Sequence, residues 1–278
     1  MRARAVQRAV APGVCAEAGF SMVELVIVIA VLGILSVGTV RFLTFAADGY
    51  HTAGTRAELA NSASMAMARL STELESALPN SVRVSGACIE FIPVTAVTQY
   101  VTLPHASPAI SMQIAAPDAS MMPSAGPLVA ARMIVNPSSP DDVYDTGSGY
   151  VSSIATFSAP DGSGVVTATF PASLSFASES AERRVYIVAA PLSFCVDGTR
   201  LFRYADYGHA LTQPLPADLP TSSPDRMLIA DNLATGSTPF AVVAPSLARN
   251  NIVAIALPLQ DADDALELQQ SAHMRYVP

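Results

Sequence analysis

The stretch GFSMVELVIVIAVLGILSVG, residues 19–38, decides the fold because almost every side chain in it is apolar. From Phe20 to Val40 the only ionisable side chain is that of Glu24. A helix of these 21 residues is about 31 Å long at ~1.5 Å rise per residue, which matches the hydrocarbon thickness of a bilayer. A carboxylate in a membrane helix is costly and usually marks a partner or a function. The stretch therefore predicts a membrane-spanning helix in which Glu24 has a specific task.

The residues on either side of this stretch set its orientation. Arg2, Arg4 and Arg8 precede it, and a basic leader favours a cytoplasmic N-terminus. An ordinary secretory signal is cut after its apolar region at small residues, but the segment continues through Arg41 without a convincing site of that kind. Two interpretations remain at this point: a signal anchor that stays uncut, or a leader removed ahead of the apolar segment.

The sequence GFSMVELVIVIAVLGIL resembles the class III signal of type IV prepilins and of type II secretion pseudopilins. The resemblance implies that a prepilin peptidase cuts after Gly19 and methylates the new N-terminal residue, Phe20. It also implies that Glu24 of one subunit neutralises the α-amino group of Phe20 on a neighbouring subunit inside the membrane. Ser21 and Met22 stand where threonine and leucine are commonest in the family, and both replacements conserve size.

A helical pattern continues beyond the membrane segment and ends at Pro79. Apolar residues recur at helical spacing and predict one buried stripe: Leu59, Ala63, Ala66, Leu70, Leu74 and Leu78. Four glycines in the long helix predict bending or local melting, since each costs up to ~1 kcal/mol relative to alanine. They are Gly33, Gly38, Gly49 and Gly54.

After Pro79 the pattern changes to short runs rich in β-branched and aromatic residues, among them CIEFIPV, RRVYIVAAP and NIVAIALPL. Alternation in CIEFI and RLFRY favours half-buried antiparallel strands. Two proline-rich stretches, 103–140 and 212–224, predict extended loops. The expected fold class is α+β and pilin-like, with a long N-terminal helix, transmembrane in its first half, packed on an antiparallel β-sheet domain.

These patterns divide the chain into four expected segments. They are a leader at 1–19, a transmembrane segment at 20–41, the periplasmic half of the helix at 42–78, and a β-rich domain with proline-rich loops at 79–278. Net charge is −8 over 278 residues, and the leader holds three arginines against one glutamate, so the remainder carries −10. An acidic domain without a basic patch argues against nucleic acid as a partner.

Cysteine usage predicts one disulfide in an exported domain. Cys15 leaves with the leader, and Cys88 and Cys195 remain. An even pair in an oxidising compartment is typical of a disulfide, whereas the alternative is two separately buried thiols. Their wide separation is unlike a zinc or redox motif.

Enzymatic and metal-binding patterns are weak. The four histidines, His51, His105, His209 and His273, have no metal-ligand spacing, and no nucleophile elbow or phosphate-binding glycine loop occurs. We therefore predict neither catalysis nor a cofactor.

The acidic segments offer only a weak cation site. In SPDDVYDTGSG, Asp141, Asp142 and Asp145 form a weak calcium candidate that lacks EF-hand spacing, and a solvated loop is the favoured interpretation. The residues 261–264, DADD, predict an exposed turn.

Over more of its length the chain is similar to minor pilins of the MSHA biogenesis O family. The similarity lies in RAELANSASMAMARLSTELESALPNSVRV, in RRVYIVAAPLSFCVDGTRLFRYADY and in ARNNIVAIALPL. J-type pseudopilins and PilW-like minor pilins share the segment that here reads RLSTELESALPN. The resemblance implies an inner-membrane, single-pass subunit with a periplasmic domain, at or near a filament tip, whose partners are prepilin peptidase and other minor and major pilins. A J-type pseudopilin and a tip adhesin are the alternatives.

Overall fold

The structure, a computed structural model, describes residues 19–117, 131–243, 252–261 and 264–274. The chain divides into two compact units, Met1–Ala53 and Gly54–Pro278. The helix α1, Met22–Glu75, contributes residues to both. Every described strand belongs to the second unit.

Helical structure in α1 continues past all four of its glycines without interruption, so the predicted local melting is not observed. A single glycine costs at most ~1 kcal/mol in a helix interior, and the good helix formers around it can outweigh that cost.

The C-terminal part of α1 buries one face, as the spacing predicts. Its buried residues are Leu59, Ala63, Ala66, Met67, Leu70, Ser71 and Leu74. The helix ends at Glu75, earlier than expected from the proline at position 79. The chain instead pairs as an extended segment, since Leu78 N donates to Ile92 O (2.8 Å) and Val94 N donates to Ser76 O (2.9 Å).

Fourteen strands, one short helix and one 3-10 turn follow α1 among the described residues. They are β1 Arg83–Ser85, β2 Cys88–Phe91, β3 Val94–Thr102, β4 Ala109–Ala115, β5 Arg132–Ile134, α2 Pro140–Tyr144, β6 Thr156–Phe157, β7 Val165–Leu174, β8 Arg184–Val188, β9 Leu192–Asp197, β10 Arg200–Tyr204, the 3-10 turn Pro216–Asp218, β11 Arg226–Ala230, β12 Phe240–Val243, β13 Ile252–Asp261 and β14 Asp264–His273.

These strands form three sheets. One has the order β1-β2-β9-β10-β11, the second β5-β8-β3-β4-β7-β6 and the third β12-β13-β14. Every pairing is antiparallel, which confirms the predicted sheet type. The fold is therefore α+β, with a long N-terminal helix packed against antiparallel sheets.

Two main hydrophobic cores stabilise the second unit. In the first, Leu70 and Leu74 of α1 pack with Phe91 and Phe194 of the five-stranded sheet and with alternate residues of β13. The β13 residues are Val253, Ile255, Leu257 and Leu259, all buried, as the period-2 pattern of NIVAIALPL predicts. The second core lies on the six-stranded sheet around Met112, Met133 and Phe170.

The proline-rich stretch 103–140 is not entirely extended loop, because it contains β4 and β5, and α2 begins at its last residue, Pro140. Its prolines lie outside β4, whose residues pair with β7. The second proline-rich stretch, 212–224, is a loop with one 3-10 turn, as expected.

The sequence of β14, DALELQQSAH, gave little indication of a strand, because it consists mostly of helix-favouring and polar residues. It pairs with β13 along its whole length and packs Leu266 and Leu268 against the first core, so tertiary contacts override its local preference. The predicted turn at 261–264 connects these strands: Asp261 pairs with Asp264, and residues 262–263 lie outside the described part.

Candidate functional site

The residues implied in processing lie next to each other at the start of α1. Gly19 and Phe20 precede the helix and are exposed, and Leu25 N donates to Ser21 O (3.1 Å) in the first turn. Glu24 is the acidic residue of that turn, where a carboxylate interacts favourably with the helix dipole. The leader residues 1–18, including Arg2, Arg4, Arg8 and Cys15, lie outside the described residues.

The first part of α1 has a surface suited to hydrocarbon. Its most apolar window has a mean hydropathy of 2.6 and is 0% buried, unlike the core helix of a soluble protein. The hydroxyls of Ser36 and Thr39 donate to the carbonyls of Leu32 (2.7 Å) and Leu35 (2.8 Å). Because these donors are satisfied within the helix, neither hydroxyl leaves an unpaired polar group facing lipid. The helix is long and apolar enough to cross a membrane.

Glu24 makes no salt bridge within its own chain among the described residues. Its expected partner, the α-amino group of Phe20 on a neighbouring subunit, belongs to another molecule. The geometry at the helix start is therefore compatible with that pairing, which stays a prediction.

Cys88 and Cys195 form a disulfide with an S–S distance of 2.08 Å, which confirms the predicted pair. They occupy directly opposite positions on β2 and β9. Both are buried, in a small cluster with Tyr204 and Leu219. The bond joins neighbouring strands that are 107 residues apart in sequence, and a loop of ~100 residues has a large closure entropy.

The disulfide predicts that the mature protein has no free thiol. Alkylation under denaturing, non-reducing conditions is expected to leave the processed chain unmodified, and alkylation after reduction should add two groups, counted by mass spectrometry. The unprocessed chain is the internal control, because it keeps Cys15 and should take up one group without reduction. Two groups on the processed chain before reduction would refute the pairing.

A buried polar network, which the sequence patterns did not predict, lies beside the disulfide. Glu90 on β2 is completely buried, and its carboxylate accepts from Arg83 Nε (2.6 Å) and from the Tyr207 hydroxyl (3.0 Å). The Ser193 hydroxyl lies 2.8 Å from that of Tyr207. Burial raises the pKa of Glu90, and the hydrogen bonds and charge of Arg83 oppose that shift.

Arg83 connects several parts of the second unit. Besides Glu90, it donates to the carbonyl oxygens of Ala210 (2.7 Å) and Leu211 (2.5 Å). Its guanidinium lies 3.5 Å from the centre of the Tyr144 ring, in cation–π geometry. A hairpin was the sequence signal that could have predicted this pair. Gly86 lies in the turn between the strands that contain Arg83 and Glu90, and the hairpin register places these two residues opposite each other.

The calcium candidate segment has structural hydrogen bonds. Asp142 accepts from Ser138 N (2.8 Å) and Ser139 N (3.0 Å) and completes the capping box of α2. Asp145 accepts from Gly147 N (2.8 Å). Within the described part of the chain, no three His, Cys, Asp or Glu side chains form a group able to hold a metal ion. The segment is not entirely a solvated loop, because Val143 and Tyr144 of α2 are buried. Calcium binding by Asp141, Asp142 and Asp145, the less favoured interpretation, stays untested.

Comparison with known proteins identifies the N-terminal feature. Residues 15–40 match the family model described as the prokaryotic N-terminal methylation motif. No curated protein and no solved structure matches the chain. The match spans Gly19, Phe20 and Glu24 and supports a type IV pilin-like or pseudopilin-like protein.

The motif indicates how proteins of the pilin-like class are processed and assembled. It implies processing by prepilin peptidase and assembly with other pilins, and it points to a structural subunit rather than an enzyme. Together with the apolar helix, it fits a membrane-anchored pilin.

Proposed function

We propose that this chain is a minor pilin-like subunit of an MSHA-type pilus, and that it acts in the initiation of filament assembly at the tip. The methylation motif at residues 15–40, followed directly by an exposed apolar helix, is the observation that carries the proposal. The MSHA assignment is supported by the sequence similarity to the MSHA biogenesis O family. In the proposed topology, residues 20–41 lie in the inner membrane, while 42–78 and 79–278 lie in the periplasm.

The contacts of the second unit support this orientation. A buried disulfide between Cys88 and Cys195 suits an oxidising compartment. Arg203 Nε on β10 donates to Glu73 Oε2 on α1 (2.8 Å), and Arg69 lies 3.1 Å from the other carboxylate oxygen of Glu73. The Arg203–Glu73 pair therefore connects the sheet to α1, whereas the Arg69–Glu73 pair lies within the helix.

A J-type role in type II secretion is the second candidate. The specific observation in its favour is RLSTELESALPN, which those pseudopilins share and which supplies Glu73, the α1 residue that pairs with Arg203 of the sheet. An adhesive tip is less favoured, because the chain contains no tryptophan, a residue common in carbohydrate-binding surfaces.

Processing is the first test of the proposal. Co-expression with a prepilin peptidase is expected to remove residues 1–19 and to leave N-methylated Phe20, as read by mass spectrometry of the N-terminal peptide. The control is Gly19→Leu, which places a bulky side chain before the scissile bond and should block cleavage while leaving the apolar helix intact. Assembled material that still begins at Met1 would contradict the proposal.

The choice between the two candidate assemblies needs a different experiment. Deletion of the coding sequence from its host is expected to reduce the number of surface pili and to leave type II secretion unchanged, and the complete chain should restore piliation. The reverse result, normal pili with defective secretion, would assign the protein to the secretion system. Neighbouring genes for a pilus ATPase and a major pilin give an independent check.

A further inference from the structure

Residues 205–211, named here the strap, connect β10 to the proline-rich loop and are held mainly by side chains. Arg83 of β1 donates to the carbonyl oxygens of Ala210 and Leu211. The Tyr207 hydroxyl donates to Glu90. Tyr207 also packs against the cluster that contains the disulfide. Tyr207 is therefore the side chain of the strap that packs beside Cys88–Cys195.

His209 is the titratable imidazole of the strap, and its surroundings oppose a positive charge. Its Nε2 is buried and has no hydrogen-bond partner. The charges that act on the ring are those of Arg83 from β1 and Arg132 from β5, and arginine side chains stay protonated in proteins. Burial, with a further contribution from these two arginines, lowers the pKa of His209 to about 4.

Among the described residues, no acidic side chain accepts a hydrogen bond from His209 Nε2. The two oxygens of the Glu90 carboxylate on β2 already accept from Arg83 and Tyr207. Tyr144 on α2 lies against the guanidinium of Arg83 through its ring face. The Arg132 guanidinium donates to the backbone oxygen of Ser152 (2.8 Å) and is not paired with a carboxylate there. A proton on His209 would therefore place a further positive charge near Arg132 and near Arg83, whose own charge is paired with Glu90.

We propose that the strap is an acid-releasable element, held closed while His209 is neutral and released from Arg83 and Glu90 when that imidazole is protonated. The sign follows from linkage: a free imidazole binds a proton below pH ~6.5, whereas the closed strap excludes it, so acidification favours the released state. Release removes Tyr207 from the disulfide cluster and makes Cys88–Cys195 more accessible. The proposal concerns the second unit alone and does not depend on the role of the chain in a pilus.

Hydrogen–deuterium exchange on the full chain in a mild detergent tests the proposal. After correction for the intrinsic pH dependence of exchange, amides of 205–211 are expected to exchange on the order of tenfold faster at pH 5 than at pH 7.5. This factor already includes the reduction expected from solvent screening, because the His209 ring is partly exposed. Amides of β3 and β8 should show no such increase. In the same samples, reduction of the disulfide by a phosphine should accelerate in parallel.

Three variants separate this mechanism from general acid destabilisation. His209→Gln should remove the pH dependence of both readouts. Arg132→Gln, which removes one of the two repelling charges, should reduce it and provides the test if His209→Gln does not fold. His105→Gln is the matched control, because the His105 ring contacts the carbonyl of Phe176 (2.8 Å) and not the strap, so it should behave as wild type.

The proposal fails if the strap amides show no acid-induced opening in the wild type. It fails equally if the response persists in His209→Gln, or if Arg132→Gln leaves it at the wild-type size. Acid opening that occurs in β3 and β8 to the same degree as in 205–211 would also overturn it, because it would indicate global unfolding.

Discussion

Replacing Arg83 with methionine is expected to destabilise the second unit by about 3–5 kcal/mol at pH 8, because it leaves a buried carboxylate without its cation. Glu90 is completely buried, and Arg83 Nε lies 2.6 Å from its carboxylate. Methionine keeps an unbranched apolar side chain of similar length, so most of the loss is electrostatic. Urea unfolding of the full chain in detergent, followed by near-ultraviolet circular dichroism of its eight tyrosines, measures the change.

The cost of Arg83→Met should depend on pH in a defined direction. Burial raises the pKa of Glu90, and loss of Arg83 raises it further by removing the opposing charge and hydrogen bond. The folded protein then binds a proton that the unfolded chain releases above pH ~4.3, so stability increases as the pH falls through the folded-state pKa. The difference between variant and wild type should therefore be smaller at pH 5 than at pH 8.

Two further variants isolate the Glu90 contribution. Arg83→Met combined with Glu90→Gln removes the buried charge and should recover part of the stability and lose most of the pH dependence. Arg56→Met is the surface control, because the Arg56 side chain is 67% exposed and pairs at 2.8 Å with Asp264, and exposed pairs contribute up to ~1 kcal/mol. A loss for Arg83→Met no larger than for Arg56→Met would show that Glu90 does not need its cation.

The elements with strong local periodicity could be predicted from the sequence. The stripe on α1 and the antiparallel sheet type follow from spacing alone. The disulfide could be predicted because only two cysteines remain once the leader is removed, so the pairing has one solution.

The elements that the sequence did not reveal depend on tertiary contacts. β14 is stabilised by pairing with β13 and not by its own strand propensity. β4 contains no proline, although prolines lie on both sides of it in the sequence. Glu90 looked like the exposed residue of an alternating strand, but all four residues of β2 are buried. Only the partners Arg83 and Tyr207, which lie on other elements, allow its charge to be buried.

Replacing Glu24 with alanine is expected to leave membrane insertion and cleavage intact and to reduce the number of surface pili severely. The substitution makes the helix more apolar, so insertion is favoured. It also removes the proposed partner of a neighbouring subunit's α-amino group, and an unpaired ammonium in the membrane interior costs several kcal/mol. Because the proposed tip subunit would be needed in few copies, the defect should appear in filament number rather than in the composition of each shaft.

The variant set for Glu24 separates charge from helix stability. Glu24→Gln keeps the shape and removes the charge, so it should behave like Glu24→Ala if the docking interaction is ionic. Glu58→Ala is the matched control, because Glu58 is an exposed carboxylate on the same helix outside the apolar stretch. Pili are counted by electron microscopy in strains that carry each variant as the single copy, and the processed protein is quantified in membranes.

The Glu24 variants, compared with Gly19→Leu, also test whether the subunit occupies the uppermost position of the filament. A subunit that docks beneath another needs Glu24, whereas the uppermost subunit has no neighbour above it and needs only the freed amine of Phe20. In the first case Glu24→Ala and the uncleaved Gly19→Leu variant both abolish piliation, and in the second only Gly19→Leu does. Normal piliation with both variants, and with each protein present in purified filaments, would show that neither the carboxylate nor the amine directs docking.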